Sequence, residues 1–234
     1  MITTKYLTQN RTYTSPYKIK PQYIIVHSTA VGYKNGKDQL FNQWNKPSAQ
    51  LSVHGMTDDK GGYITLPLNY LGWHVGKKGN EKTVGFEICE PGNIAYANAN
   101  HTKVDTAKYN PKDPAIIADF NKRYDVAVEL AAEFCRLTGL DSSKVISHAE
   151  GYKLGVASNH GDVGHWFPLF GKSMDGFRAD VKKALAKQQP ATTTPATTGK
   201  LYRVQVGAFS NKANAERLAA ELKGKGYSTI IKYD

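Results

Sequence analysis

His27 follows the apolar run Tyr23-Ile24-Ile25-Val26, and His148 follows a second, Val145-Ile146-Ser147. Both runs read as strands, which places each imidazole at a strand's C-terminal end, where α/β domains present side chains to ligands. Further along, Asn159-His160-Gly161-Asp162-Val163-Gly164-His165-Trp166-Phe167-Pro168 offers an acidic candidate, Asp162, flanked by two more histidines. Two imidazoles and one carboxylate form an accepted catalytic set for Zn²⁺ that keeps a fourth position for water, and three imidazoles form another. Donor chemistry alone therefore leaves the third ligand open among His160, Asp162 and His165. Glu87 lies inside the apolar stretch Thr83–Cys89, where a carboxylate is costly without a partner or a role. Alternation puts Glu87 and Cys89 on one face of that strand and Phe86, Ile88 and Glu90 on the other.

The elements that must position these groups are readable from periodicity. Strands are expected at Tyr23–His27, Leu51–Met56, Tyr63–Leu66, Thr83–Cys89 and Lys144–Ser147, and a helix at Asp38–Asn45. Pro114–Thr138 reads as a long helix, with Ile116, Ile117, Phe120, Tyr124, Val128, Ala131, Phe134 and Cys135 at helical spacing and Gly139 as its stop. A last helix is expected from about Met174 to Ala186. Strands and helices alternate without a strict βαβ rhythm, so the fold class is α/β with a mixed central sheet flanked by helices. Residues 90–114 are polar and read as a long surface loop. Gln188–Gly199 is rich in proline and threonine and reads as an extended linker. It separates a domain at residues 1–187 from a module at 200–234. That module reads as a small β-α-β unit: a strand at Leu201–Phe209, a helix capped by Asn211, and a strand at Tyr227–Ile231.

The 234 residues carry a formal charge of +11. The excess is spread along the chain, which suits a polyanionic partner such as an anionic cell wall. Aromatic residues do not interleave with a basic stripe, so no nucleic-acid partner is expected. No run reaches the ~18 apolar residues of a membrane span, so no membrane partner is expected either. The start, Met-Ile-Thr-Thr-Lys-Tyr, has no charged-then-apolar leader, which implies synthesis in a cytoplasm. Cys89 and Cys135 lie in apolar stretches and read as core residues.

Val26-His27-Ser28-Thr29, Trp73-His74-Val75-Gly76, Val84-Gly85-Phe86-Glu87-Ile88, Ser147-His148 and Gly161-Asp162-Val163-Gly164-His165-Trp166-Phe167 occur in that order. Together they resemble the zinc-dependent N-acetylmuramoyl-L-alanine amidases of the amidase type 2 family, over roughly residues 20–185. The resemblance implies Zn²⁺ on His27, His148 and Asp162, with His165 in reserve, and Glu87 as general base. It places His160 where the family often has a lysine aimed at the reacting carbonyl, and Trp73 and His74 near the substrate groove. Tyr202–Ser210 followed by Asn214–Ala219 resembles the first half of a SPOR domain, a class that recognises glycan strands stripped of stem peptides.

The implied function is hydrolysis of the amide between N-acetylmuramic acid and L-alanine in bacterial peptidoglycan, by a phage or prophage endolysin that reaches the wall after release from the cytoplasm. The C-terminal half-domain is either a shortened module or one that pairs with a second copy, as a homodimer, to complete one sheet. The alternatives are a non-catalytic peptidoglycan-recognition protein, which would lack the third ligand or the base, and a cytosolic amidase that recycles muropeptides.

Overall fold

The computed structural model describes residues 1–188, 205–224, 227 and 229–232, in two compact units, Met1–Ala191 and Thr192–Asp234. In chain order the first unit comprises β1 (Ile2–Thr4), α1 (Arg11–Thr14), β2 (Tyr23–Tyr33), α2 (Gly36–Trp44), β3 (Gly55–Asp58) and β4 (Gly61–Ile64). There follow α3 (Lys77–Asn80), β5 (Thr83–Pro91), α4 (Pro114–Thr138), β6 (Val145–Ser147), α5 (His148–Lys153) and α6 (Met174–Gln188). The strands form one six-stranded sheet in the order β1-β4-β3-β5-β2-β6. Only β3–β4 pairs antiparallel, so the sheet is mixed.

Alternation along β2 and β5 sorts side chains between two layers. Ile24, Val26, Val84, Phe86 and Ile88 pack with Phe120, Leu130 and Phe134 of α4 in the main core. On the opposite face Met56 and Cys89 meet Leu40 and Phe41 of α2, while Ile25 and Ile146 meet Val75 and Val156. Odd-numbered His27, Gly85 and Glu87 therefore belong to this second face. The helix α4 is as long as its pattern predicts: the Asp113 side chain caps its start, and Gly139 closes it at φ +74°.

The structure corrects several sequence expectations. β2 does not end at His27 but runs on to Tyr33. Its regular pairing to β5 does break after Ser28, where Ala30 takes φ +50°, so His27 sits near the end of the ordered ladder. β6 ends at Ser147, and His148 is instead the first residue of α5. The reason is a capping box: the Ser147 hydroxyl accepts from the Glu150 N–H while Glu150 accepts from the Ser147 N–H.

Residues 51–53 lie outside the ladder, because Ser52 exchanges hydrogen bonds with the Trp73 backbone instead of extending β3. The segment 92–113 has no long element, yet it is anchored by a Tyr96–Val104 bridge and by buried Val104 and Tyr109.

In the second unit the helix α7 (Lys212–Gly224) forms, with the Asn211 side chain accepting from the Ala213 N–H at 2.9 Å. The described residues of the two expected flanking strands, 205–209, 227 and 229–231, are not strands; residues 201–204 and the expected linker at 189–199 lie outside the described residues.

Ser147→Ala removes the cap that turns the chain at His148. A loss of about 1 kcal/mol is expected in urea unfolding, and an unchanged midpoint would show that the cap does not hold this corner.

Candidate metal centre

Three segments converge at the C-terminal edge of the sheet. His27 comes from β2, His148 from the first turn of α5, and Asp162 from a 3₁₀ turn, Asp162–His165. That turn is seated by buried Val163, Trp166 and Phe167 in the main core, and Asp162 itself holds φ +41°. A non-glycine residue there is uncommon, and such backbones persist where surrounding packing imposes them.

The donor atoms meet closely. His27 Nδ1 lies 3.1 Å from His148 Nδ1 and 3.3 Å from Asp162 Oδ2, and His148 Nδ1 lies 2.6 Å from the same oxygen. Ligands about 2.05 Å from a tetrahedral Zn²⁺ stand roughly 3.3 Å apart, so two of the three separations already suit that ion. Both histidines are almost wholly buried. Burial lowers the affinity of His27 for a proton, more than the neighbouring Asp162 raises it. Burial also acts against the charge on Asp162, but its contacts with the His148 and His27 imidazoles outweigh it and hold the carboxyl well below its ordinary range. The result is two imidazole nitrogens and one carboxylate oxygen in contact, the chemistry that divalent Zn²⁺ takes.

Glu87 stands directly across from His27 in the β2–β5 register. Its Oε2 is buried without a hydrogen-bond partner. Burial, then the charges of Asp162 and Glu90, push its carboxyl well above the ordinary range. A carboxylate poised in this way beside a metal-ligand set can accept a proton.

The remaining predicted residues are distributed differently from expectation. His165 does not face the cluster. Its Nε2 donates to Oε1 of fully buried Glu90 at 2.8 Å, and the Tyr96 hydroxyl donates to the other Glu90 oxygen, so His165 ties the turn to the 92–113 segment. His160 is exposed, with its ring 4.7 Å from that of His148 and its Nδ1 3.1 Å from Ser158 Oγ. Trp73 is half exposed, as a groove residue would be. His74 is turned inward instead, with its Nδ1 2.9 Å from His27 Nε2. His101 stacks on Tyr96, with ring centroids 4.7 Å apart.

Sequence reasoning missed Glu90, Tyr96, Ser158 and His54 as neighbours of the site. The one available signal was Glu90, a second carboxylate in the same buried strand as Glu87.

The chain is similar to known proteins. Residues 17–165 match the Amidase_2 family, N-acetylmuramoyl-L-alanine amidase, and residues 198–234 match the SPOR domain. The chain is 38% identical over 79 residues to the N-acetylmuramoyl-L-alanine amidase CwlH of Bacillus subtilis (strain 168), covering 32% of each chain. It is 39% identical over 90 residues to XlyA of the same organism, covering 36% of this chain and 30% of that one. These matches span about a third of the length of either relative. The catalytic domain of XlyA superposes with a TM-score of 0.54 at 22% identity, over 77% of this chain and 99% of that domain, a likeness of fold.

Because the native state raises the proton affinity of Glu87, it binds that proton more tightly than the unfolded chain does. The associated stability is present below the unfolded glutamate value of ~4.3 and is lost as pH rises toward the folded value. Chelator-treated Glu87→Gln is thus expected to melt higher than the equally treated parent at pH 7 and to lose most of that advantage near pH 4. Equal melting at pH 7 would show that the Glu87 carboxylate is not strained by burial. With matching family motifs running from the first strand of the site to the turn that bears Asp162, the chain belongs to the N-acetylmuramoyl-L-alanine amidase (Amidase_2) family.

Proposed function

We propose that the protein is a zinc-dependent hydrolase that cleaves the amide between N-acetylmuramic acid and L-alanine of the peptidoglycan stem peptide. The observation that carries this reading is the meeting of His27, His148 and Asp162 in a chain of this family, with the unpartnered Glu87 oxygen beside them. Zn²⁺ held by these three side chains would polarise the amide carbonyl and make a water acidic near neutral pH. The protein's own groups supply the rest. A Glu87 carboxylate oxygen takes the proton of the attacking water and returns it to the leaving amine nitrogen of L-alanine. His160, whose Nδ1 is turned to Ser158, offers its Nε2–H to the developing oxyanion. Exposed Trp73 forms part of the surface on which the substrate lies.

Residues 198–234 add wall binding to this chemistry. Stripped glycan is what an amidase leaves behind, so a product-binding tail holds the enzyme among unreacted stems by raising its local concentration. Among the described residues, the helix α7 has no buried residue and Val206, Phe209 and Ile230 are exposed, an apolar surface suited to pairing with a second copy. A lytic role on the wall from outside the cytoplasm, as a phage or prophage endolysin, fits this combination. It also accords with a structural neighbour described as an endolysin from Bacillus subtilis.

Purified sacculi treated with the protein are expected to release peptides that begin with a free L-alanine amine, identified by mass, with no new glycan reducing ends. Glu87→Gln is expected to retain the parent's zinc content and to lose about 10²–10⁴-fold in turnover. Release of reducing ends, or an active Glu87→Gln, would contradict the reading.

Deleting residues 189–234 is expected to reduce co-sedimentation with sacculi and to abolish any dimer seen in analytical ultracentrifugation, while leaving hydrolysis of soluble muropeptides intact. Undiminished sedimentation with sacculi would show that the tail does not bind the wall.

A further inference from the structure

The zinc reading assigns no role to the imidazole behind His27. We propose that His74 is a positioning residue: it fixes the tautomer of His27 so that Nδ1, the nitrogen facing His148 and Asp162, is left without a proton. The inference rests on the zinc reading for its purpose, but its geometry stands within the protein.

The argument starts at the far end of a hydrogen-bond chain, where no choice exists. The Gly79 carbonyl can only accept, and the Thr83 hydroxyl donates to it at 2.9 Å. With its proton committed there, Thr83 Oγ1 can only accept from His74 Nε2, 3.3 Å away. His74 therefore carries its proton on Nε2, which leaves Nδ1 as an acceptor. At 2.9 Å that acceptor faces His27 Nε2, so His27 carries its own proton on Nε2. The consequence is a bare His27 Nδ1, directed at the His148 and Asp162 donor atoms. Each link passes its direction to the next, from a backbone carbonyl to a metal ligand.

Two further observations show that space is reserved for this contact. A Cβ on Gly85 would stand 2.7 Å from His74 Nδ1 and 3.1 Å from His27 Nε2, so the glycine in Val84-Gly85-Phe86-Glu87 leaves room for the bond. The His74 ring is also walled by His54, edge-on at 5.7 Å. Two backbone groups orient His54: the Gly85 N–H donates to its Nδ1, and its Nε2 donates to the Tyr70 carbonyl. A Cβ on Gly72 would in turn strike His54 at 2.7 Å.

The second ligand is held differently. His148 Nε2 meets Ser158 Oγ at 3.1 Å, on an exposed residue where water can take over the bond. His74 is partly buried with both ring nitrogens engaged, one by His27 and one by Thr83, so its loss should cost more.

The test uses the full-length protein and zinc alone. Competition with a chromophoric chelator gives zinc affinity, and ¹⁵N NMR of the imidazoles gives the His27 tautomer with and without zinc. His74→Leu is expected to bind zinc about 10–100-fold more weakly. His74→Asn, whose Oδ1 can occupy the acceptor position, should recover most of that loss, and Ser158→Ala should lose less than His74→Leu. In the parent, His27 should carry its proton on Nε2 before and after zinc is added, a readout that does not depend on any variant folding.

Parent-like affinity in folded His74→Leu, equal losses in the Leu and Asn variants, or an Nδ1-protonated His27 in the zinc-free parent would each overturn the inference. A parent that binds no zinc yet shows the Nε2–H tautomer would remove the zinc reading and leave the hydrogen-bond assignment standing.

Discussion

The molecule depends on one unfavourable proximity: two buried imidazoles forced against a single carboxylate at the rim of a sheet. Isolated, such a cluster has little reason to form, because desolvation penalises every charge in it. It is held by the packing around it. His27 is carried by the parallel strand β2, His148 by a capped helix start, and Asp162 by a turn whose Val163, Trp166 and Phe167 are inserted in the main core. The positive φ at Asp162 is the local cost of delivering a carboxylate to that place. Stability is spent at the site and recovered in the apolar layers on either side of the sheet.

Around the cluster, the two faces of the sheet have separate duties. The α4 face is apolar through five strand residues, and the long helix covers it. The opposite face changes along β5 from Gly85, which admits an imidazole pair, to Glu87, which presents an unpartnered oxygen, to Cys89, which returns to packing. One strand thus supplies clearance, reactivity and core in three alternate positions. Glu90, on the other face, fastens His165 and Tyr96, so the turn bearing Asp162 and the 92–113 segment are braced by the same buried carboxylate.

Much of this was legible in the residues themselves. The limits of α4 followed from Pro114 and Gly139, because starts and stops are local chemistry. The faces of β5 followed from alternation, which needs no knowledge of neighbours. What could not be read was how residues distant in sequence meet. Nothing in Trp73-His74-Val75-Gly76 says that one ring turns inward to His27 while its neighbour stays half exposed; that depends on the space above Gly85. His165 resembled a ligand in type and position, and only the fold shows that Glu90 engages it. His148 was assigned to a strand end because β-branched residues precede it, and the capping box that starts a helix there lies after it. In the C-terminal unit the helix was legible from Asn211 and its period. Over the described residues of the expected strands, alternation alone did not secure a strand, since a strand also needs a paired neighbour.

The most direct test of the metal centre is zinc-edge X-ray absorption on the purified full-length protein. The account predicts one zinc per chain, with two imidazole nitrogens and oxygen donors at ~2.0–2.1 Å. A spectrum requiring three imidazoles or a sulfur, or a protein that retains no zinc at all, would contradict it.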